Sequence, residues 1–447
     1  MIGAGISGLS AAWLLNKSHD VTVFEQDRRL GGHSNTVDAI LTGPRGRQQI
    51  PVDTGFIVYN EKTYPNLTAL FDHLGVETEK SVMSFSASVN SGSFEYSGAG
   101  LKGLLAQKRN LLRPRFWRMV LDIMRFYRNC VPDSDLPENT NLSLGQYLKK
   151  SGYSNGFLRD HIYPMASSIW SATFDQIKEY PLTAFVRFFS NHGLLETNQA
   201  KRPQWRTVTG GSRAYVDRIS AEFSDRIRLN APVQDVTRTP NGVSVTTKNN
   251  ETEVFDHVVL AAHSAQSLKI LGDASSDEQA LLSAIRYEQN KAYLHTDNSM
   301  MPKRSKAWAS WNYLSDSDSE TDRLVCLTYW MNLLQNIDSD YPVFVTLNPH
   351  REPDPEKTLQ SFDYEHPIFD QPALAAQQKL WALQGTNRTW FCGAYFGYGF
   401  HEDGLQSGLA VAEALGGVKR PWSVEDESGR ICMTGISDAP ITETAAA

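Results

Sequence analysis

Residues 1–34 decide the fold, and they read MIGAGISGLSAAWLLNKSHDVTVFEQDRRLGGHS. Gly3, Gly5 and Gly8 form G-x-G-x-x-G at the start of a helical run, and the strand-like stretch that follows ends at Glu25. The first glycine permits a tight turn, the second lets the backbone approach a pyrophosphate, and the third lets helix and strand pack closely. The helix N-terminus offers N–H groups to phosphates, and an acid about 20 residues later accepts ribose hydroxyls. The stretch therefore predicts a Rossmann-like unit that binds a dinucleotide.

The strand before this glycine turn is nearly absent from the sequence. Only Met1 and Ile2 precede Gly3, whereas a typical strand has about five residues. We expect that the chain either starts further upstream or is a shortened product.

Composition limits the classes of protein that the chain can belong to. At 447 residues it exceeds what a single core supports, so two lobes are expected. The net charge of −7 argues against a nucleic-acid partner. The four cysteines are scattered without a C-x-x-C pair, so no metal site is predicted. The sequence shows neither an apolar run of about 18 residues nor a signal peptide, and we expect a cytoplasmic protein. The oligomeric state stays open.

Strand-like and helical residue patterns alternate along the chain. Residues 205–262 carry short alternating runs typical of a β-meander, and long helical patterns dominate from about Tyr64 to Gln204. The predicted fold is α/β, with a three-layer Rossmann-like cofactor lobe interleaved with a substrate lobe of mixed sheet and helices. Its segments are predicted as 1–60, 205–262 and 385–420 for the cofactor lobe, 61–204 and 263–384 for the substrate lobe, and 421–447 for a loose tail.

The motifs resemble those of the flavin-containing amine oxidase and phytoene desaturase superfamily. They include IGAGISGLSAAWLL, EQDRRLGGHSNT and FCGAYFGYGFHEDGLQSGLAVAEAL. Within it, VDTGFIVYN, PMASSIWS, TVTGGSRAYV and GYGFHEDGL make the chain most similar to the predicted NAD/FAD-binding proteins that are encoded beside cyclopropane-fatty-acid-synthase-like methyltransferases. The likeness extends from Gly3 to about Leu415.

The resemblance implies non-covalent FAD and a role for each matching residue. The pyrophosphate would lie on Gly3, Gly5, Ser7 and Gly8, and the adenosine ribose on Glu25. The remaining contacts would come from Gly31, Gly32, His33 and the Gly55 turn near the flavin end, from the Val233 backbone at the adenine, and from Gly393, Gly404 and Leu405 at the ribityl chain and isoalloxazine.

Two positions depart from the superfamily pattern. His33 stands where an Arg usually follows the glycine pair, and Tyr395 stands where an acid usually follows the C-terminal glycine. Both changes remove a charged cofactor contact, so the resemblance does not imply tight FAD binding. Cys392 lies in the same strand, away from the upstream site at which some relatives attach flavin covalently.

Three residues are candidates for catalysis. Tyr398 lies in a glycine-interrupted aromatic cluster, and His401 follows it with the capacity to act as an acid or base. Lys291 falls roughly where related amine oxidases keep a lysine that holds water at the flavin. The alternatives are packing for Tyr398, helix capping for His401 together with Asp403, and a surface lysine for Lys291.

A basic segment bears on the partner. Between Lys102 and Arg128 there are eight basic residues and one acid, and Phe116, Val120, Ile123, Met124 and Tyr127 fall on one helical face. Such a helix can lie on an anionic membrane, which would make the protein peripheral to it; the alternative is an ordinary docked helix.

The function expected from these patterns is FAD-dependent oxidation or desaturation of an apolar, fatty-acyl or lipid-linked substrate. Oxidation of a small amine is the second hypothesis. The third is a non-catalytic escort for lipid or prenyl groups on the same fold.

Overall fold

A computed structural model describes residues 1–98, 100–198, 201–316 and 325–433. The chain divides into two compact units. Unit 1 comprises Met1–Gly32, Ile219–Arg286 and the described residues from Pro372 onward, and unit 2 comprises His33–Arg218 and Tyr287–Gln371. Both units are discontinuous, and their bounds differ from the predicted domain bounds, since the first segment of unit 1 ends at Gly32 rather than at residue 60.

The strands of the described chain are β1 (Val23–Phe24), β2 (Thr36–Gly43), β3 (Gly46–Asp53), β4 (Tyr59–Asn60), β5 (Thr78–Ser81), β6 (Phe85–Val89), β7 (Phe94–Ser97), β8 (Trp205–Val208), β9 (Ile227–Arg228), β10 (Val233–Thr239), β11 (Gly242–Thr247), β12 (Thr252–Phe255), β13 (Val258–Leu260), β14 (Arg286–His295), β15 (Trp311–Leu314), β16 (Cys326–Trp330), β17 (Phe344–Leu347), β18 (Thr358–Ile368) and β19 (Thr389–Phe391). The α-helices are α1 (Ile6–Leu15), α2 (Pro65–Leu74), α3 (Gly100–Leu104), α4 (Pro114–Ser134), α5 (Leu144–Lys150), α6 (Asn155–Phe157), α7 (Tyr163–Trp170), α8 (Phe174–Lys178), α9 (Leu182–Asn191), α10 (Arg213–Ser220), α11 (Ser264–Ile270), α12 (Ser276–Ser283), α13 (Met331–Leu334), α14 (Gln371–Gln377) and α15 (His401–Gly416).

Unit 1 is built on a parallel sheet that Ile2 holds together. β1 pairs with β9 and β13 pairs with β19, both in parallel. Ile2 forms parallel bridges to both Phe24 and Leu260, and its amide donates to the Val259 carbonyl at 2.9 Å. Two residues therefore take the place of the central strand that a Rossmann-like sheet needs. The predicted meander is confirmed as the antiparallel sheet β10–β11–β12.

The described part of the predicted tail packs on unit 1. Trp422 stacks on Trp13 of α1 with ring centroids 5.8 Å apart, and Arg430 forms an ion pair with Asp403 of α15 at 3.3 Å. Residues 421–433 are therefore not a loose tail, because their aromatic and charged side chains meet partners on α1 and α15. Residues 434–447 lie outside the described part of the chain.

Unit 2 is organised by a seven-stranded mixed sheet in the order β18–β14–β17–β16–β15–β6–β7. The β15–β6 pair is parallel, whereas β15–β16, β16–β17, β14–β17 and β6–β7 are antiparallel. Two of its strands, β6 and β7, lie in a region where the sequence indicated helices, and so does β5, which pairs with β8. The β6 segment FSASV does alternate apolar residues with serines, but it is only five residues long within a region of long helical patterns.

The β2–β3 hairpin explains why unit 2 begins at His33. Its Ala39, Leu41 and Val52 are buried in one cluster with Leu294 and Val345 of the large sheet. The hairpin thus completes the core of unit 2 and not a cofactor lobe extending to residue 60. No helix within the described ranges is both long and apolar enough to cross a membrane.

Candidate active site

The glycine turn of unit 1 joins Ile2 to α1 and is fixed by its own backbone. The Gly3 amide donates to the Phe24 carbonyl at 2.8 Å, and Gly3 has φ +101°, which favours glycine. A Cβ on Gly8 would lie 2.0 Å from the Gly3 carbonyl oxygen. The first and third glycines of the motif are therefore demanded by the fold itself.

Gly5 differs from the other two glycines because a Cβ there would have no atom within 4 Å. Its backbone is extended, with φ −74° and ψ −177°, and no side chain caps the helix α1 that follows. Open space beside the uncapped start of a helix is where a phosphate binds, since the first amides have no intrahelical acceptor. The turn therefore fits the pyrophosphate of a dinucleotide, and only the second glycine is explained by a ligand.

Glu25 lies at the end of β1 and faces this turn. One carboxylate oxygen accepts from the Ala4 amide at 2.7 Å, and the other accepts from the Asp27 amide at 2.9 Å. Burial raises the pKa of Glu25, and the two backbone donors oppose this shift. The side chain is 8% exposed and is anchored to the glycine turn, which suits the predicted ribose contact.

The loop at Gly31 and Gly32 passes directly beside Gly5. Gly31 forms a parallel bridge with Gly5, and its amide donates to the Ala4 carbonyl at 2.8 Å. A Cβ on Gly32 would lie 3.2 Å from the Gly5 Cα. The structure thus brings the two predicted glycine groups together.

Helix α15 packs against α1 at Ser7. A Cβ on Gly404 would lie 2.8 Å from the Ser7 hydroxyl, and a Cβ on Gly408 would lie 2.2 Å from the Ser7 carbonyl oxygen. Leu405 is fully buried on the same helix. Gly393 is held to α15 by Ser407, whose hydroxyl accepts from the Gly393 amide at 3.0 Å. Four predicted residues therefore lie close together: Ser7, Gly393, Gly404 and Leu405. The sequence did not predict Ser407, because a single serine in a helix of small residues is not a recognisable motif.

The first turn of α15 carries buried polar groups. The Asp403 carboxylate accepts from the Phe400 amide at 2.7 Å and pairs with Arg430 at 3.3 Å. Burial lowers the pKa of His401 to about 3, so its imidazole is neutral at pH 7. Asp403 therefore performs the capping that the sequence suggested for both residues. Tyr398 is half-buried, and its backbone is hydrogen bonded to Asp403.

Two other predicted residues, Val233 and Lys291, are distant in sequence from both the glycine turn and the start of α15. Val233 begins β10, is half-buried and pairs with Thr247 next to a register shift. Lys291 lies in β14 of unit 2 with its side chain 49% exposed, and its Nζ is 3.8 Å from Asp363. This geometry favours the surface-lysine alternative for Lys291.

His33 and Gly55 meet within unit 2. The Phe56 amide donates to the His33 carbonyl at 2.8 Å, and a Cβ on Gly55 would lie 2.2 Å from that carbonyl oxygen. The His33 ring lies 5.2 Å from the Tyr364 ring. Gly55 is therefore required by the path of the His33 backbone.

Asp53 organises a polar cluster that the sequence analysis missed. Its carboxylate accepts from the Ser212 amide and hydroxyl, from the Thr36 hydroxyl at 2.6 Å and from the Gln335 amide at 3.0 Å. Burial raises the pKa of Asp53 to about 6, against the effect of these donors. The cluster ties the β2–β3 hairpin to the start of α10 and to the segment after α13. Its members come from three distant segments, so no local motif predicts it.

The family model for flavin containing amine oxidoreductase matches residues 6–416. The chain belongs to this family. Membership confirms the predicted superfamily and the predicted cofactor, FAD. The narrower resemblance to proteins encoded beside methyltransferases stays a prediction.

Two curated relatives match part of the chain. A Mycobacterium tuberculosis protein named as a candidate flavin-containing monoamine oxidase, AofH, is 28% identical over 263 residues, which are 57% of this chain and 54% of that protein. The pig amine oxidase [flavin-containing] B is 26% identical over 279 residues, which are 60% of this chain and 51% of that protein. The match thus spans about half the length of these relatives.

Solved structures share the fold over most of the chain. A putrescine oxidase variant aligns with a TM-score of 0.64 at 15% identity, covering 93% of this chain and 97% of its own. A fatty acid isomerase from P. acnes aligns with a TM-score of 0.61 at 15% identity, covering 93% and 96%. At this identity the likeness concerns the fold alone, and it agrees with the predicted α/β class.

The residues of unit 1 fit FAD. The open space at Gly5, the uncapped start of α1 and the buried Glu25 carboxylate suit the pyrophosphate and ribose. Cys392 is fully buried, and burial raises the pKa of its thiol to about 12, so it stays protonated and unreactive. That FAD is held without a covalent bond stays a prediction.

Proposed function

We propose that the protein is an FAD-dependent oxidoreductase that acts on an apolar, fatty-acyl or lipid-linked substrate by oxidation or desaturation. FAD supplies the capacity to accept a hydride equivalent from a C–H bond. The chain contributes a cofactor cradle in unit 1 and, in unit 2, a substrate lobe whose interior is apolar.

We favour an apolar substrate because the buried carboxylates of unit 2 already have hydrogen-bond donors or ion-pair partners within the chain. A buried carboxylate without a partner would favour a small ammonium substrate, because a buried charge needs an opposite charge or a hydrogen bond. The described buried acids of unit 2 and their partners are Asp53 with Ser212, Thr36 and Gln335, Glu95 with Arg304, Asp122 with Arg118 and Arg125, Asp160 with Arg115, and Asp297 with Ser299 and Lys357. None of these carboxylates is left over for an ammonium group.

An aromatic cluster in unit 2 supports the same choice. Trp170 lies 4.7 Å from both Tyr180 and Phe188, and Phe185 stacks on Phe189 at 4.1 Å, measured between ring centroids. Trp170 ends α7, Tyr180 precedes α9, and the three phenylalanines belong to α9; all of these rings are buried. Aromatic walls of this kind exclude water and suit an alkyl chain.

Oxidation of a small amine is the second candidate function. The names of the curated relatives favour it, since one is named as a monoamine oxidase and the other as an amine oxidase. Its residue-level support was Lys291, which is half-exposed and paired with Asp363. The escort hypothesis predicts a folded protein that carries no flavin.

Anaerobic mixing of the flavin-loaded protein with substrates distinguishes the three candidates. A long-chain acyl substrate should bleach the flavin absorbance, and putrescine and benzylamine should leave it unchanged. Bleaching by the amines alone would replace the proposal with the second candidate. A folded protein that takes up no FAD would favour the third.

A further inference from the structure

Exposed apolar side chains are concentrated in one stretch of unit 2. Of the 13 large apolar residues that are exposed within the described ranges, eight lie between Leu101 and Leu136. The most exposed are Leu112 at 87%, Leu101 at 77% and Leu121 at 65%. Single exposed apolar residues are ordinary, but a contiguous group marks a surface that binds something.

Helix α4 presents four of these eight residues on its solvent side. Phe116, Met119 and Phe126 are buried, as expected for the inner face of a docked helix. Trp117, Leu121, Met124 and Val131 are exposed, and their spacing of four, three and seven residues places them on one stripe. The prediction that Phe116, Val120, Ile123, Met124 and Tyr127 form one apolar face is therefore wrong. Phe116 points inward, and of these five residues only Met124 belongs to the exposed stripe.

Basic residues surround the stripe, and several have no acidic partner. Among the described residues, Lys102, Lys108, Arg109 and Arg128 form no ion pair. Arg113 lies near Arg109, and the pKa of Arg113 is lowered by burial and by neighbouring arginines. The surface thus combines an apolar stripe with uncompensated positive charge inside a protein of net charge −7.

The other basic residues of the helix have a structural task. Arg115 forms two hydrogen bonds with the buried Asp160, and Arg118 and Arg125 pair with the buried Asp122. Removing these arginines would leave buried carboxylates without partners, so they are unsuitable for a test of surface binding.

We propose that this surface, formed by α3, α4 and the turn between them, docks on an anionic lipid membrane. Leu112, Trp117, Leu121 and Met124 would enter the headgroup region while Lys102, Lys108, Arg109 and Arg128 contact acidic headgroups. A second copy of the chain is disfavoured as the occupant, because a two-fold contact would bring the same positive groups face to face. The proposal does not rest on the proposed function, since docking requires no turnover.

Sedimentation with lipid vesicles tests the proposal on the full chain. The parent protein should pellet with phosphatidylglycerol-containing vesicles at low salt, remain in the supernatant with phosphatidylcholine alone, and dissociate as salt is added. Reversal of Lys108, Arg109 and Arg128 to Glu should weaken binding at least about a hundredfold. The matched control reverses the exposed Lys62, Lys248 and Lys269, which alters the net charge equally and should have a much smaller effect.

A second variant tests the apolar stripe. Leu112, Leu121 and Met124 are exposed, so their replacement by Ser should preserve the fold while reducing vesicle binding about tenfold or more. Replacing the exposed Ile40 and Val254 by Ser is the control and should leave binding unchanged. Failure of the parent protein to pellet at low salt overturns the proposal. So does a concentration-dependent dimer, seen by sedimentation velocity, that the Ser variant abolishes while vesicle binding persists.

Discussion

Replacing Gly5 with Ala should separate cofactor binding from folding. The backbone of Gly5 has φ −74°, which Ala adopts readily, and the new methyl would have no protein atom within 4 Å. A Gly-to-Ala change at a compatible position stabilises a protein by about 0.4–1 kcal/mol, because the unfolded chain loses freedom. The methyl would occupy the space that the pyrophosphate needs. We therefore expect an apoprotein that is as stable as the parent or slightly more stable, and that retains no flavin.

Gly8→Ala is the matched variant in the same turn. Its methyl would lie 2.0 Å from the Gly3 carbonyl oxygen, so the turn and α1 must separate. Such overpacking costs about 1–3 kcal/mol or more. Denaturant unfolding of the two apoproteins and flavin absorbance after reconstitution measure both effects. The reasoning is refuted if Gly5→Ala keeps full flavin occupancy, or if Gly5→Ala lowers apoprotein stability as much as Gly8→Ala does.

Three further predictions concern single groups. Glu25→Gln should weaken FAD binding about ten- to hundredfold, since hydrogen bonds to a charged group contribute about 1.5–3 kcal/mol; titration of apoprotein with FAD measures it, and unchanged affinity would contradict the ribose role. His401→Ala should slow flavin reduction by about 10²-fold or more, while FAD affinity changes less. Because the pKa of His401 is about 3, the rate of flavin reduction in the parent protein should show no titration of this group between pH 5 and pH 8. Stopped-flow absorbance measures the reduction rate of the variant and its pH dependence in the parent. Burial lowers the pKa of His295 to about 4, below its unfolded value of about 6.5. The unfolded chain therefore binds a proton at this residue before the folded chain does, and the free energy of unfolding falls as the pH drops below 6.5. The loss is about 2 kcal/mol at pH 5. Asp53, with a pKa of about 6, changes the stability in the opposite direction over the same pH range, so the parent protein is compared with His295→Gln. The stability of this variant should fall less steeply than that of the parent between pH 6.5 and pH 5. Equal slopes for the two proteins would contradict the lowered pKa of His295.

The sequence predicted those parts of the site that depend on one continuous segment. The glycine turn, Glu25 and the start of α15 each follow from spacing within about 25 residues, and the structure brings Gly3, Gly5, Gly31 and Gly404 into one neighbourhood through Ser7 and Ala4. The pairing partners of Ile2 could not be predicted from spacing, because Ile2 forms parallel bridges to Phe24 of β1 and to Leu260 of β13, which is far away in sequence.

Features that join distant segments could not be predicted in this way. The Asp53 cluster draws on residues up to 282 positions apart, and only tertiary packing brings them together. The same holds for α4, where helical periodicity identified an amphipathic helix but could not say which side faces the core. Two buried carboxylates connect its inner face to other segments: Arg115 of α4 pairs with Asp160, and Asp122 of α4 accepts from the Ser154 amide at 3.0 Å.

We propose that the substrate of this protein is an alkyl chain that loses hydrogen. Anaerobic stopped-flow measurement compares flavin reduction by a long-chain acyl substrate with reduction by its perdeuterated form. Both substrates should bleach the flavin, and the deuterated chain should do so severalfold more slowly, because the C–H bond is broken as flavin is reduced. Flavin that stays oxidised with acyl chains of every length, and bleaches with small amines instead, would contradict it.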